Sequence, residues 1–367
     1  RHFSPLRFVS SNYSFSSGEK IMNNDSKKVS LVKGAHRYDN IRKTLDLIKP
    51  DLNKIRGKKQ ILIKPNLTAT KNEFANTDVK AVEAVIDFLL DNFSELHHSQ
   101  FTILEGSGSA HYEKTTTDKV FKKFGYVELV KKYNNVRLEC VEDFSDSLEF
   151  EARSIAGHER IRIIKRFLDF DFRISIAVPK THNYAIATFG IKNMAGIIKQ
   201  EDKSLLHGLR TPSAPDAKTI FTYIPTSAIS WMRRRCPNLV NFIFKKSMAY
   251  LKATKVIHHN IVNLAKLTWP DLVVLDGFYC MDGNGPVDGF PVKLEAAVSS
   301  VDPLKADGIG ARLMGLGPEN IGYLYYLHQE RLGDYSVNGL LGEDVEQVKQ
   351  NFNFHPTYNI QMNWNTV

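Results

Sequence analysis

The sequence predicts an α/β protein: mostly parallel sheets with flanking helices, two α/β lobes around a cleft, and a helical insertion. Three observations predict it. From residue 29 onward, apolar strand-like runs alternate with amphipathic helical runs of the length that parallel strands need between them. Runs such as QILIKPNL and DFRISIAVPK are of the buried type. Several strands end in charged or glycine-rich sequence, which a parallel sheet gathers along one edge.

The elements follow in order. VSLVKG is a short strand, and YDNIRKTLDLIKP an amphipathic helix stopped by Pro50. QILIKPNL is a strand from Gln60 to Lys64, ended by Pro65. Thr77 is the expected cap of a helix through DVKAVEAVIDFLLDNF, with Ile86, Leu89 and Leu90 on one face. FTILEGSGS is a strand with a glycine-rich exit, TTTDKVFKKFGY a helix and VRLECVED a strand. EFEARSIAG and ERIRIIKRFL read as antiparallel strands joined by Gly157 and His158, and DFRISIAVPK as a strand ending at Lys180. DLVVLDG and VKLEAAVSS are strands, with the turn-dense MDGNGPVDG between them. PLKADGIGARLMG and ENIGYLYYLHQERLG are helices. Ser300 or Asp302 caps the first of them, Pro303 takes its first position, and Asp307 inside it calls for a partner such as a rim lysine.

These runs divide the chain into a leader (1–28), a first α/β lobe (29–178), a second α/β lobe (179–340) and a C-terminal extension (341–367). The first 20 residues are rich in serine, aromatics and arginine, and read as a disordered leader in preference to a transit peptide. The insertion at 211–256 mixes aromatics with Arg233, Arg234 and Arg235 and several lysines. It reads as a helical cover with a solvated basic face, or as an interfacial element whose residues 219–252 touch a membrane or an anionic partner. No nucleic acid is expected, because no binding module accompanies the charge.

Of the 367 residues, 43% are hydrophobic and 24% charged, ordinary values for a soluble protein with a sizeable core. The net charge of +9 favours anionic partners. No apolar run reaches the length of a membrane span. Cys140, Cys236 and Cys280 stand far apart, which argues against a zinc ribbon, an iron–sulfur cluster or a disulfide framework. A reducing, cytoplasmic setting is the expectation.

The strand ends supply the candidate site. They are Lys64 and Asn66; Glu105, Gly106 and Ser107 with His111; Lys180, Thr181 and His182; and Asp276. A lysine directly after an apolar strand needs a partner or an anionic ligand. Lys64, Lys180 and Lys192, the last within GIKNMAG, are therefore expected to share a site for a small carboxylate or phosphate. Asn66, Gly106, Ser107, His111, Asn193, Asp282 and Asn284 are expected to line it. His182 reads as a general acid or base, or as a metal ligand, with Lys180 disfavouring its imidazolium. A divalent metal is compatible with this set but not demanded by it. The Walker A and dinucleotide fingerprints are both incomplete. The function expected is that of an enzyme using His182, Lys180 and Lys192 on a small anion, with proton transfer next to a carboxylate. The competing expectation is an accessory protein that holds a metal or cofactor without catalysis.

KPNL at 64–67, PKTH at 179–182, GIKNMAG at 190–196, DLVVLDG with MDGNGPVDG, and SSVDPLKADGIGARLMG stand in fixed order. Together they resemble the domain-of-unknown-function 362 family over residues 30–335. Members of that family often carry a ferredoxin-type cluster domain, whose cysteines this chain lacks. A second set resembles the nickel-pincer lactate racemase family: His111 in GSGSAH, His182 in PKTH and Lys192 in FGIKNMAG. That resemblance implies an isomerase-like or lyase-like enzyme with Lys192 as the cofactor-bearing lysine and a further histidine among His207, His258 and His259. KPNL departs from it, standing where that family has an arginine-bearing strand end.

Overall fold

The computed structural model describes residues 27–108, 110, 113, 115–209, 231, 232, 235, 236, 239, 242 and 247–365. β1 (Val29–Lys33) leads into α1 (Arg37–Leu47), β2 (Gln60–Lys64), α2 (Val79–Asn92) and β3 (Gln100–Glu105). Then come α3 (Thr117–Lys123), α4 (Tyr126–Lys132) and β4 (Val136–Cys140). β5 (Ser147–Ser154) and β6 (Gly157–Ile164) form a separate hairpin. β7 (Phe172–Ala177) is followed by the short strands β8 (Lys180–His182) and β9 (Ile186–Thr188) and by α5 (Gly190–Asn193). α6 (Met248–Thr268), β10 (Leu272–Asp282), β11 (Phe290–Ser300), α7 (Pro303–Leu313), α8 (Gly322–Gln329) and β12 (Leu340–Gly342) follow.

The fold is α/β around one mostly parallel sheet, ordered β12-β1-β11-β10-β7-β2-β3-β4. β10, β7, β2, β3 and β4 run parallel, and β11 is antiparallel to both β10 and β1. Strands of both expected lobes thus share this sheet, meeting at β1–β11 and β7–β10. Ile61, Ile63, Ile174, Ile176, Leu272 and Val274 face α1 and α2. Leu62, Val273, Leu275 and Val298 face α6 and α7. Successive strand residues point to opposite faces, and both faces are covered, which is why these runs look continuously apolar.

Asp78 caps α2 in place of Thr77, accepting the Lys80 amide at 2.8 Å. Thr77 instead accepts the Asn66 amide and donates to the Ile176 carbonyl, tying β2 to β7. Ile155 and Ala156 make the β5–β6 turn, and Gly157 and His158 already pair within β6. β7 stops at Ala177, because Pro179 offers no N–H to the ladder, and Lys180 opens β8. β10 runs through a register shift near Gly277 to Asp282, so Asp276 lies within the strand. Asp302 caps α7. Asp307 has no lysine partner among the described residues; it accepts the amides of Gly190 at 2.8 Å and Ile191 at 3.0 Å. Val345, Val348, Phe352 and Trp364 carry the C-terminal extension into the core. His111 and most of the insertion, Arg233 and Arg234 included, lie outside the described residues.

Candidate functional site

Lys64 ends β2 and is fully buried. Its ammonium donates to Glu105 Oε2 at 2.5 Å and to the Pro65 carbonyl at 2.7 Å. Glu105 ends the neighbouring β3 and also accepts the amides of Leu67 and Gly106. Gly196 lies against this pair: a Cβ there would stand 2.2 Å from both Lys64 Nζ and Glu105 Oε1. Burial pushes the lysine down and the carboxyl up, and each is opposed by the other's charge. Lys64, expected to hold an anion, is therefore already matched by Glu105.

Lys180 is matched as well. Its ammonium donates to Asn66 Oδ1, to Thr68 Oγ1 at 2.9 Å and to the Ala75 carbonyl at 2.6 Å, which uses all three protons. Asn66 Nδ2 donates to Asn193 Oδ1 at 2.9 Å. Asn193 Nδ2 donates in turn to the Lys64 carbonyl at 2.8 Å and Ser175 Oγ at 3.0 Å. The two asparagines thus lock the ends of β2, β7 and β8 to α5. Burial first, then the charge of Lys192, holds Lys180 well below the usual lysine range.

Lys192 differs. It sits on α5, whose first two amides are held by the Asp307 side chain. Gly190 lets that turn approach closely, since a Cβ there would stand 2.3 Å from Val273 Cγ1. Lys192 is 8% exposed, and among the described residues its ammonium makes no hydrogen bond or ion pair. Burial, then the charge of Lys203, pushes it down to about 8, and no carboxylate opposes the shift. Lys203 donates to the Gly196 carbonyl at 3.3 Å and is also pushed down to about 8 by burial, with Glu105 and Glu142 opposing. Arg162 holds the Lys203 segment through a forked pair with Asp202, at 2.8 and 2.9 Å.

His182 is buried at the end of β8. Its Nδ1 accepts the amides of Tyr184 at 3.0 Å and Ala185 at 3.1 Å. The neutral ring therefore carries its proton on Nε2. Burial, then Lys192, His207, His355 and Lys180, holds it well below the usual histidine range. His182 thus presents a neutral ring whose N–H is on Nε2. The His207 ring lies parallel to it at 5.5 Å.

Among the remaining expected residues, Gly106 donates its amide to the Gly196 carbonyl at 3.1 Å, and the Ser107 carbonyl accepts Gln200 Nε2 at 3.3 Å. Gly106 also donates to Glu105 Oε1 at 2.9 Å. Asp282 is taken up by Asn353, whose amide and Nδ2 donate to it at 3.0 and 2.9 Å. Asn284 belongs to the turn that packs on Thr181, where a Cβ on Gly285 would stand 2.1 Å from the Thr181 carbonyl oxygen. His258 Nδ1 accepts the Tyr323 amide at 3.1 Å, and His259 stacks on Tyr326. Lys203, His355 and Gln361 were absent from the expected set, and Glu105, a strand end in it, serves as the partner of Lys64. Lys203 sits in QEDKS, which has the look of solvated surface, and His355 and Gln361 lie far along the chain. No group of three or more His, Cys, Asp and Glu side chains among the described residues is placed to share a metal ion. No helix among them is long and apolar enough to cross a membrane.

Fold and site together define an α/β protein with buried lysines and histidines at the carboxyl edge of a parallel sheet. The model of the family described as "Domain of unknown function (DUF362)" matches residues 61–312, and the chain belongs to that family. It is similar to the thylakoid-associated protein sll1697 of Synechocystis, at 24% identity over 173 residues. That match covers 47% of this chain and 41% of the relative, so the chain spans less than half of the relative's length. Among solved structures it is similar to the lactate racemase apoprotein from Thermoanaerobacterium thermosaccharolyticum, with TM-score 0.41 and 14% identity. That similarity covers 71% of this chain and 52% of the other.

Proposed function

We propose that the chain is an enzyme that binds a small carboxylate or phosphate at Lys192 and Lys203 and moves a proton next to a carboxylate. One observation carries this reading. Lys64, Lys180 and Lys203 each have acceptors, whereas Lys192, a residue 8% exposed, has none for its ammonium among the described residues. A buried unpaired charge is costly, and an anionic ligand supplies the missing partner. With its pKa at about 8, Lys192 holds an anion when protonated and accepts a proton when not. His182 Nε2–H then donates to the oxygen on which negative charge develops.

The test is calorimetric titration of inorganic phosphate and malonate into the wild type, Lys192→Met and Lys192→Arg. The methionine variant is expected to lose at least about tenfold in affinity, roughly 1.4 kcal/mol, and arginine to retain part of it. Equal affinity in wild type and Lys192→Met would sink the reading.

A second reading has its own support. Residues 217–270 contain no Asp or Glu and nine Lys or Arg. Trp231, Leu239, Phe242 and Met248 in that stretch are exposed. Basic charge beside exposed large apolar groups suits an anionic membrane surface. Co-sedimentation with phosphatidylserine vesicles that survives deletion of 219–252, or never occurs, would remove it.

A further inference from the structure

The C-terminal segment lies beyond the stretch matched by the family model, yet it reaches the candidate site. Asn353 pins its start to Asp282. Thr357 Oγ1 meets the Tyr250 hydroxyl at 2.5 Å and accepts Gln361 Nε2 at 3.0 Å. Tyr250 also donates to the Asn183 carbonyl, one residue beyond His182. Gln361 is fully buried, and its Oε1 accepts the Ile186 amide at 2.7 Å.

Ile186 stands at φ 67°, in the left-handed region that a β-branched residue enters only under constraint. It pairs with His182 across the β8–β9 hairpin. The turn between them presents the Tyr184 and Ala185 amides that Nδ1 of His182 accepts. A turn strained at its closing residue needs an outside hold, and Gln361 provides it. If that hold is released, Ile186 can relax, the two amides turn away, and Nδ1 is free to take a proton.

We propose that the C-terminal segment is a working part of the site, with Gln361 as a positioning residue that fixes His182 as an Nε2–H donor through Ile186. The effect on anion affinity rests on the functional reading above; the tautomer of His182 does not.

The experiment is nitrogen NMR on histidine-labelled protein, with the His182 signals assigned through His182→Gln. The wild type is expected to keep the neutral Nε2–H form through the range where an ordinary histidine titrates. Gln361→Leu is expected to show mixed tautomers or a titrating ring, and to bind phosphate about tenfold more weakly. Gln361→Glu keeps the acceptor for the Ile186 amide and is expected to restore the wild-type tautomer. A wild-type tautomer in folded Gln361→Leu would overturn the proposal. If the leucine variant fails to fold, Thr357→Val, which unties the Gln361 amide group, is held to the same expectation. Unaltered phosphate affinity in Lys192→Met would remove the anion reading and leave the positioning role standing on the ring itself.

Discussion

Lys64, Lys180, Lys192 and Lys203 are all buried, and each meets the cost of a buried ammonium differently. Lys64 has a carboxylate, Lys180 three neutral oxygens, Lys203 a carbonyl with carboxylates nearby, and Lys192 no acceptor among the described residues. The last two sit near 8, below the ordinary 10.5. Between those values the unfolded chain binds more protons than the folded one, so their contribution makes stability rise with pH from about 8 to 10.5. Urea unfolding at pH 7 and pH 10 checks this. Lys192→Met is expected to flatten the rise by on the order of 2 kcal/mol, and an unchanged slope would contradict the assigned environment. Phosphate affinity is expected to move the opposite way, falling as pH passes 8 and the ammonium groups discharge. Gly196 gives a steric case within this cluster. Gly196→Ala puts a methyl group 2.2 Å from both members of the Lys64–Glu105 pair, whose atoms have no water to retreat into. A loss of about 3 kcal/mol in urea denaturation is expected, and a loss under about 1 kcal/mol would mean the pair can shift.

At the scale of elements, α5 is a helix of four residues and cannot stand on propensity. It is built from outside. Asp307 on α7 takes its first two amides, Asn193 ties its end to β2 and β7, and the two motif glycines let it settle against Val273 and the Lys64–Glu105 pair. Burial pushes Asp307 up to about 8, with the same two amides opposing. Asp307→Asn leaves one acceptor and turns an amino group toward an N–H. It is expected to cost about 1–3 kcal/mol in thermal unfolding and to weaken phosphate binding, because Lys192 loses its fixed base. Full phosphate affinity in a destabilised Asp307→Asn would separate the helix from the site. The sequence marked Asp307 as needing a partner, but its partner is backbone, and no spacing pattern announces which amides a carboxylate will meet. Gly190 and Gly196 stand where protein packs closely, the first against Val273 and the second against Lys64 and Glu105.

For the whole molecule, legibility follows the way each contact is made. Strands β2, β7, β10 and β11 were readable because burial on both faces writes itself into a local apolar run. Their ends, and so the rim holding Lys64, Lys180 and His182, were readable with them. The match of Lys64 to Glu105 was not, since it depends on β2 and β3 lying side by side in register, with Ile63 opposite Ile103. Gln361 and His355 were further out of reach, because the C-terminal segment comes back to the site through tertiary packing alone.

The same sheet order sets how the molecule opens. β7 and β10 have ladder partners on both sides and helices on both faces. Their amides, those of Ile174, Ile176, Val273 and Leu275 among them, can exchange only when the sheet comes apart. β12 is three residues long and, among the described residues, pairs with β1 alone, and β5–β6 is a two-stranded unit outside the sheet. Native-state hydrogen exchange is therefore expected to show β7 and β10 exchanging with the free energy of global unfolding, and β12 at least about a hundredfold faster. β12 amides as slow as those of β7 would mean that the edge is covered, and a partner or a further segment would have to be sought there. Anion binding enters the same measurement. Phosphate bound at Lys192 should slow exchange in α5 and in the turn from His182 to Ile186 while leaving β12 unchanged, because only the former segments hold the groups it would bridge.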